Sequence, residues 1–109
     1  MPAKKKINIV DDYFPGNTNR RICIIFDSEN GNRTFFNAPV NIKIKELFLA
    51  YAKKLEINPN ILGKQIYFLY NGYKTKINEE KDLISFGLRD LSKFIVVDSK
   101  NIMGGNSDF

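Results

Sequence analysis

The stretch Asn41–Leu55, NIKIKELFLAYAKKL, decides the fold because it is the one segment that has the pattern of a long helix. Its apolar residues follow the i, i+3, i+4, i+7, i+11 spacing of a single helical stripe, and they are Ile44, Leu47, Phe48, Tyr51 and Leu55. We expect Asn41 to cap the first turn. We expect Asn58-Pro59 to close the far end, since the residue before a proline is disfavoured in the helical region.

Short runs rich in β-branched and aromatic residues flank this helix and predict the strands of one sheet. In chain order the predicted strands are Ile22–Phe26, Arg33–Val40, Gln65–Tyr70, Tyr73–Ile77 and Lys93–Asp98. A turn containing Asn30-Gly31 joins the first two strands into a hairpin, because these residues tolerate positive φ. The order predicts an α+β fold, a β-grasp in which a mixed sheet of four to five strands packs on one α-helix.

The composition of the 109 residues, with 43% hydrophobic and 13% aromatic side chains, indicates one domain with a packed core. No apolar run is long enough to span a membrane, and no apolar segment follows the basic start, so we predict neither a membrane partner nor a secretory signal. The single cysteine, Cys23, lies in a strand and is expected to be a buried or half-buried apolar residue. One cysteine fits a reducing compartment, which predicts an intracellular, cytoplasmic protein.

The chain contains no histidine, which removes the usual ways of activating a serine or cysteine nucleophile. One cysteine without histidine also excludes a structural zinc site, and no phosphate-binding glycine motif occurs, so no cofactor is predicted. The acidic pairs Asp11-Asp12 and Glu79-Glu80 are typical of solvated charge in polar segments. We therefore predict that the protein is not an enzyme and has no small-molecule substrate.

The net charge of +5 is concentrated at the N-terminus, where residues 1–21 carry five lysines and arginines against two aspartates. A nucleic-acid binder should carry its basic charge as a stripe on the folded surface, so this distribution does not favour a nucleic-acid partner. We predict a basic extension at 1–21, a folded domain at 22–98, and a flexible tail at 99–109 that contains Gly104-Gly105. The extension is expected to be unnecessary for folding but to take part in docking.

From about residue 22 to residue 105 the chain resembles ubiquitin and its relatives. The segment Phe68-Leu69-Tyr70-Asn71-Gly72 is similar to the family's Leu-Ile-Phe-Ala-Gly strand and turn. The segment Asp82–Leu88 is similar to the family's Thr-Leu-Ser-Asp-Tyr-Asn-Ile turn, and Gly104-Gly105 is similar to its terminal pair. Tyr73 stands where the family has its best-known chain-linking lysine, and no arginine precedes the glycines. The resemblance implies a ubiquitin-like β-grasp domain.

Strand alternation predicts apolar side chains on both faces of this sheet. The predicted core comprises Ile24, Phe26, Phe36, Val40, Ile44, Leu47, Tyr51, Phe68, Leu83, Phe94 and Val96. The opposite, outward face is the predicted protein-binding site, one continuous apolar surface of Leu69, Ile95, Val97, Tyr67, Ile25 and Phe35. The family resemblance implies that the first three of these form the main recognition patch. The alternative is that the N-terminal extension covers this face, through Ile7, Ile9 and Val10 or through Tyr13-Phe14.

Two functions follow as hypotheses. The first is a non-enzymatic binding or structural module that docks on other proteins through the apolar sheet face. One version of it is a small fixed subunit of a large cytoskeletal or ciliary assembly. The alternative is a ubiquitin-like modifier that is conjugated through Gly105 after removal of Asn106–Phe109. Other proteins are the predicted partners in both.

Overall fold

The computed structural model describes residues 12–100. Its helices and strands are β1 (Arg21–Ser28), β2 (Arg33–Pro39), α1 (Ile44–Lys54), a 3₁₀ helix (Pro59–Ile61), β3 (Ile66–Tyr70), β4 (Tyr73–Lys74), α2 (Leu83–Phe86) and β5 (Ser92–Asp98). The strand order is β2-β1-β5-β3-β4, with β1 and β5 parallel and the other neighbours antiparallel. The predicted α+β fold, a mixed sheet packed on one main helix, is confirmed. No helix in this part of the chain is long and apolar enough to cross a membrane.

The prediction that Asn41 caps α1 is wrong. The N-cap residue is Lys43, whose backbone N–H donates to the Glu46 carboxylate at 3.0 Å. The side-chain oxygen of Asn41 instead accepts a hydrogen bond from the side-chain amide of Asn17 at 3.0 Å. Asn41 lies too far ahead of the first helical residue, Ile44, for its side chain to reach an orphan N–H of the first turn.

A loop that is distant in sequence completes this helix start. The N–H of Ile44 donates to the carbonyl oxygen of Lys81 at 2.9 Å, and the N–H of Lys45 donates to that of Glu79 at 3.1 Å. These are two of the donors that the first turn of a helix leaves without an internal partner. The helix therefore depends on the loop before α2, a dependence that no local sequence signal reveals.

The contact between the start of α1 and the loop before α2 includes ion pairs, so it should make the stability of the protein depend on pH. The Glu80 carboxylate lies 2.7 Å from Nζ of Lys45 and 2.9 Å from Nζ of Lys43. Hydrogen bonds from these ammonium groups lower the pKa of Glu80 from 4.5 to about 2. Because the folded-state pKa is lower than the unfolded-state pKa, the ionised Glu80 stabilises the fold at pH values above 4.5. This contribution is lost as the pH falls from 4.5 towards about 2.

We therefore expect Glu80→Gln to lower stability near neutral pH by a small amount, because the ion pairs are solvent-exposed. The difference in free energy of unfolding between wild type and variant, measured by urea titration, should shrink as the pH falls from 4.5 to about 2. A difference that stays constant over this range would contradict the conclusion that the ion pairs of Glu80 lower its pKa in the folded protein.

The predicted apolar stripe of α1 is wrong at its last position, Leu55. Leu55 is 40% exposed and lies beyond the last helical residue. The N–H of Ile57 donates to the carbonyl of Ala52 at 2.8 Å, and the N–H of Glu56 donates to that of Lys53 at 3.2 Å. This is the Schellman pattern, in which the residue after the C-cap adopts the left-handed conformation. Here that residue is Glu56, with a φ of 57°.

Glu56→Gly is expected to raise the free energy of unfolding by about 1 kcal/mol. The left-handed conformation costs a residue with a Cβ roughly 1–2 kcal/mol, and the greater unfolded-state freedom of glycine offsets part of the relief. Thermal or urea unfolding measures the gain. Glu56→Ala is the control, because it removes the charge but keeps the Cβ. An equal gain in both variants would show that charge, not backbone strain, is responsible.

The core lies between the inner sheet face and α1, and every predicted core residue is buried. Phe26 of β1 is at its centre. Its ring centroid lies 4.6–6.4 Å from the centroids of Phe36, Phe48, Tyr51, Phe68 and Phe94. The alternation of buried inward residues and more exposed outward residues along β1 confirms the predicted strand parity.

The residues just before β1 pack on the domain. The ring of Tyr13 lies 5.6 Å from the ring of Phe36 in the core, and Phe14 is also half-buried against the core. The guanidinium of Arg21 donates to the Asp12 carboxylate at 3.1 Å and to the carbonyl of Phe14 at 3.0 Å. This part of the extension is therefore bound along the helix side of β2.

Candidate interaction surface

The structure places all six predicted binding residues on the sheet face opposite α1. Phe35, on the edge strand β2, is 56% exposed. The others are half-buried, and they are Ile25, Tyr67, Leu69, Ile95 and Val97. The outer side of the sheet is thus apolar. Side chains on neighbouring strands partly shield all of these residues except Phe35 from solvent.

Four of these residues form one compact group on β3 and β5. Leu69 stands directly opposite Ile95, and Tyr67 stands directly opposite Val97 in the antiparallel ladder. Directly opposite side chains have Cβ atoms about 5 Å apart and pack on each other. We call these four residues the β3–β5 cluster. It offers an aliphatic centre with one aromatic ring at its edge.

The remaining two residues form a separate apolar pair, Ile25 opposite Phe35. Charged residues lie between this pair and the β3–β5 cluster. The carboxylate of Asp27 lies 3.1 Å from Nη2 of Arg33 and 3.6 Å from Nζ of Lys93. The six residues therefore fall into two groups, and in the parallel ladder of β1 and β5 the charged Lys93 stands beside Ile25 and Asp27 beside Ile95. We call these charged side chains the ionic divider.

The divider is charged at neutral pH. The hydrogen bond from Arg33 is the largest of the effects that hold the pKa of Asp27 below its ordinary value. Asp27 and Lys93 occupy outward positions by the same strand alternation that identified the apolar residues, so the sequence contains the signal for this divider.

Two lysines that the sequence analysis did not consider border the cluster at Tyr67. The Tyr67 hydroxyl donates to the carbonyl oxygen of Lys64 at 2.9 Å. The Nζ atom of Lys74 lies 4.0 Å from the centre of the Tyr67 ring, and Lys74 stands opposite Leu69 in the ladder. Such a cation–π contact is favourable and keeps the ammonium group at the edge of the ring. The rim of the cluster is therefore basic on this side.

The N-terminal extension does not cover the cluster through Tyr13 or Phe14, which lie beside α1 on the other side of the sheet. This corrects that part of the alternative raised from the sequence. Ile7, Ile9 and Val10 lie outside the described residues. Gly104 and Gly105 also lie outside them, so conjugation through Gly105 stays a prediction.

The acidic and cysteine side chains of residues 12–100 do not form a metal site. No three acidic or cysteine side chains there stand together as a metal site would require. The Cys23 thiol is half-buried, and its burial raises its pKa above the ordinary value, which disfavours the reactive thiolate. The half-buried position of Cys23 confirms the expectation of an apolar role for it.

Comparisons with known proteins give matches to solved structures. No protein-family model matches the chain, and no curated protein matches it. A structure described as molecular mimicry of SUMO in DNA repair is 20% identical with a TM-score of 0.58, and the match covers 75% of this chain and 96% of that one. The ubiquitin-like domain of yeast Ddi1 is 12% identical with a TM-score of 0.63, covering 73% and 91%.

A third similar structure is the ubiquitin-like domain of an Arabidopsis thaliana protein, at 11% identity and a TM-score of 0.60, covering 82% of this chain and 88% of that one. At these identities the similarity shows the fold. The chain has the ubiquitin-like β-grasp fold, as its sequence resemblance predicted.

Proposed function

We propose that this chain is a non-enzymatic protein-interaction module that docks on other proteins through the β3–β5 cluster. The ubiquitin-like fold supports a protein-interaction role in general. The single observation that carries the choice of surface is the paired arrangement of Leu69 with Ile95 and of Tyr67 with Val97 on the outer sheet face. In a sheet with one face on a core, outward positions are ordinarily polar, so an apolar group there indicates an interface.

The surroundings of the cluster have the character of an interface rim. Interfaces combine an apolar centre with polar and charged groups around it. Here the charged groups of Asp27 and Lys93 lie on one side and Lys74 lies on the other. The separate pair of Ile25 and Phe35 adds a second, smaller contact beyond the ionic divider. Partner aliphatic or aromatic side chains are the anchors that this surface fits.

Site-specific cross-linking tests the proposal. A photoreactive amino acid placed at Tyr67 should give covalent adducts with a specific protein in an extract of the cells that make this chain. The same amino acid at Leu49, which is 49% exposed on α1, is the control and should not give that adduct. Equal adduct yields at both positions would show that the partner does not bind preferentially at the outer sheet face.

The partner so obtained permits an affinity measurement. Leu69→Ala and Ile95→Ala should each weaken binding by about 1–3 kcal/mol, as residues at the centre of an interface do. Each substitution should lower the free energy of unfolding by only about 1 kcal/mol, because both side chains are half-buried and point away from the core. Ile84→Ala, at a 46% exposed position on α2, is the matched control and should leave binding unchanged. Unfolding of both variants without a selective loss of binding would overturn the proposal.

The other hypotheses stay predictions. An assembly role of cytoskeletal or ciliary kind and a cytoplasmic location have no observation behind them in the structure. Conjugation through Gly105 would require the cellular protein to end at that residue, and its intact mass is the measurement that checks this.

A further inference from the structure

The chain contains two Asn-Gly dipeptides, Asn30-Gly31 and Asn71-Gly72, and both lie in exposed turns of the sheet. An asparagine that precedes glycine is prone to an intramolecular reaction in which the glycine backbone nitrogen attacks the side-chain amide carbon. Glycine favours this reaction because it has no side chain to hinder its own nitrogen or to restrict the backbone. The dipeptide is the same at the two sites, so a difference in reactivity would come from their surroundings.

Hydrogen bonds hold the reacting groups of Asn30-Gly31 in place. The N–H of Gly31, the group that would attack, donates to the carbonyl oxygen of Ser28 at 3.0 Å. The side-chain oxygen of Asn30 accepts from the N–H of Asn32 at 3.2 Å and also from the Ser28 hydroxyl. The N–H of Ser28 donates in turn to the carbonyl oxygen of Asn32 at 2.8 Å, which closes the turn. Attack at this site would first have to break these contacts.

The reacting groups of Asn71-Gly72 lack such contacts. Within residues 12–100 neither the Asn71 side chain nor the N–H of Gly72 has a hydrogen-bond partner. A Cβ built on Gly72 would meet nothing within 4 Å, so no other group crowds the attacking nitrogen. The φ angles of Asn71 and Gly72 are 52° and 87°, which is the pattern of a two-residue type I′ hairpin turn.

The strand that follows this second turn opens at low cost. β4 consists of Tyr73 and Lys74 alone and forms one edge of the sheet. Both residues are exposed. Short segments with little buried apolar area open at a much lower free energy than the core. The turn at Asn30 instead joins β1 and β2, strands of eight and seven residues. Asn71 can therefore leave its left-handed conformation and reach the geometry of attack while the domain stays folded.

We infer that Asn71 is a site of spontaneous deamidation in the folded protein and that the structure protects Asn30 from the same reaction. The deprotonated nitrogen of Gly72 forms a bond to Cγ of Asn71, and the bond from Cγ to Nδ2 breaks. Ammonia leaves with the proton that the Gly72 nitrogen has lost, and a cyclic imide remains. Water then adds to one of the two imide carbonyl carbons and opens the ring. Opening at one carbon gives aspartate, and opening at the other gives isoaspartate.

The two products differ in their effect on β4. Aspartate keeps the backbone and adds a negative charge, so Tyr73 stays opposite Tyr70 and Lys74 stays opposite Leu69. Isoaspartate carries the chain through its side-chain carbons, which lengthens the backbone of the turn by one atom. A two-residue turn matches the twist of its strands only in a specific geometry, so the longer backbone releases this pairing. Lys74 then leaves the Tyr67 ring, from whose centre its Nζ atom lies 4.0 Å.

The test compares the two sites within the same full-length protein. The protein is incubated at neutral pH in water labelled with heavy oxygen, and peptide mass spectrometry follows the incorporation of label at each asparagine. Asn71 should react at least about tenfold faster than Asn30, because the reaction at Asn30 first requires the loss of several hydrogen bonds. In guanidinium chloride that unfolds the chain, the two rates should become similar.

Three results would overturn the inference. They are equal rates in the folded protein, a faster reaction at Asn30, and a preference for Asn71 that persists in the unfolded chain. Absence of label at Asn71 after prolonged incubation would overturn it as well. Asn71→Gln is the control variant, because the longer side chain forms the corresponding ring much more slowly. It should abolish labelling at this position and leave the rate at Asn30 unchanged.

The effect on β4 is measured with Asn71→Asp as the matched reference, since this variant has the charge of the product but an unaltered backbone. The isoaspartate form is separated from aged protein by chromatography. In NMR spectra Asn71→Asp should keep the backbone amide shifts of Leu69, Tyr73 and Lys74 close to those of the wild type. The isoaspartate form should shift all three. Shifts in the isoaspartate form equal to those of Asn71→Asp would contradict the loss of β4.

Discussion

Phe26→Ala is expected to lower the free energy of unfolding by about 3–5 kcal/mol, the range for truncating a fully buried aromatic side chain. Phe26 is 1% exposed. Its ring is stacked on that of Phe94 at a centroid distance of 5.4 Å and lies edge-on to that of Phe68 at 5.6 Å. The loss combines the transfer of the ring out of the core with the cavity that remains, because packed neighbours relax only in part.

Phe35→Ala is the matched control for this experiment. Phe35 has the same side chain and lies on the neighbouring strand, but it points outward and is 56% exposed. Its truncation should change stability by about 0.5 kcal/mol or less, as at most exposed positions. Urea titration of both variants measures the difference. Similar losses for both would mean that the inward and outward faces of the sheet have been exchanged.

The fold could be predicted because local patterns and the global packing agree. The apolar stripe from Ile44 to Tyr51 repeats with the period of an α-helix, whereas side chains along β1 and β5 alternate between the two faces of the sheet. The stripe identifies the buried face of α1, whereas β1 and β5 are apolar on both faces, so alternation alone does not choose their inward face. A one-residue error in register would exchange Phe26 for Ile25 in the core, and the larger ring at the inward position indicates the correct choice.

The two ends of α1 could not be predicted from local signals. The first-turn donors of Ile44 and Lys45 bind carbonyls of Lys81 and Glu79, residues that the chain brings back only after β4. The left-handed Glu56 ends the helix without glycine, the residue that ordinarily marks such a position. At the start of α1 tertiary contacts replace a local cap. At its end, local backbone hydrogen bonds and the packing of Ile57 on the core hold the turn without glycine.

The residues of the candidate surface could be predicted, but their separation into two groups was missed. Strand alternation placed Leu69 and Ile95 outward correctly. Whether outward residues touch depends on the strand order, and β5 lies between β1 and β3. The ion pair of Asp27 with Lys93 becomes visible only when that order is known. The close approach of Gly63 to Ile77 was also missed, because strand patterns do not describe how a loop closes.

The double variant Tyr13→Ala/Phe14→Ala is expected to lower the free energy of unfolding by about 2–3 kcal/mol. Full burial of a large apolar side chain contributes roughly 1.5–3 kcal/mol, and these two side chains are half-buried against the core. The expectation from sequence was that the extension is unnecessary for folding. The contact of Tyr13 with Phe36 and the hydrogen bonds from Arg21 to this segment argue instead that its last residues stabilise the domain.

The control for this variant is Tyr73→Ala/Leu49→Ala, which truncates an aromatic and an aliphatic side chain at positions 78% and 49% exposed. It should stay within about 1 kcal/mol of the wild type, because each exposed truncation costs about 0.5 kcal/mol or less. Thermal and urea unfolding of both double variants give the comparison. If Tyr13→Ala/Phe14→Ala is as stable as the control, the segment only rests on the surface and the original expectation holds. If it is less stable by the stated amount, the folded unit begins before β1, and Arg21 connects the extension to the sheet.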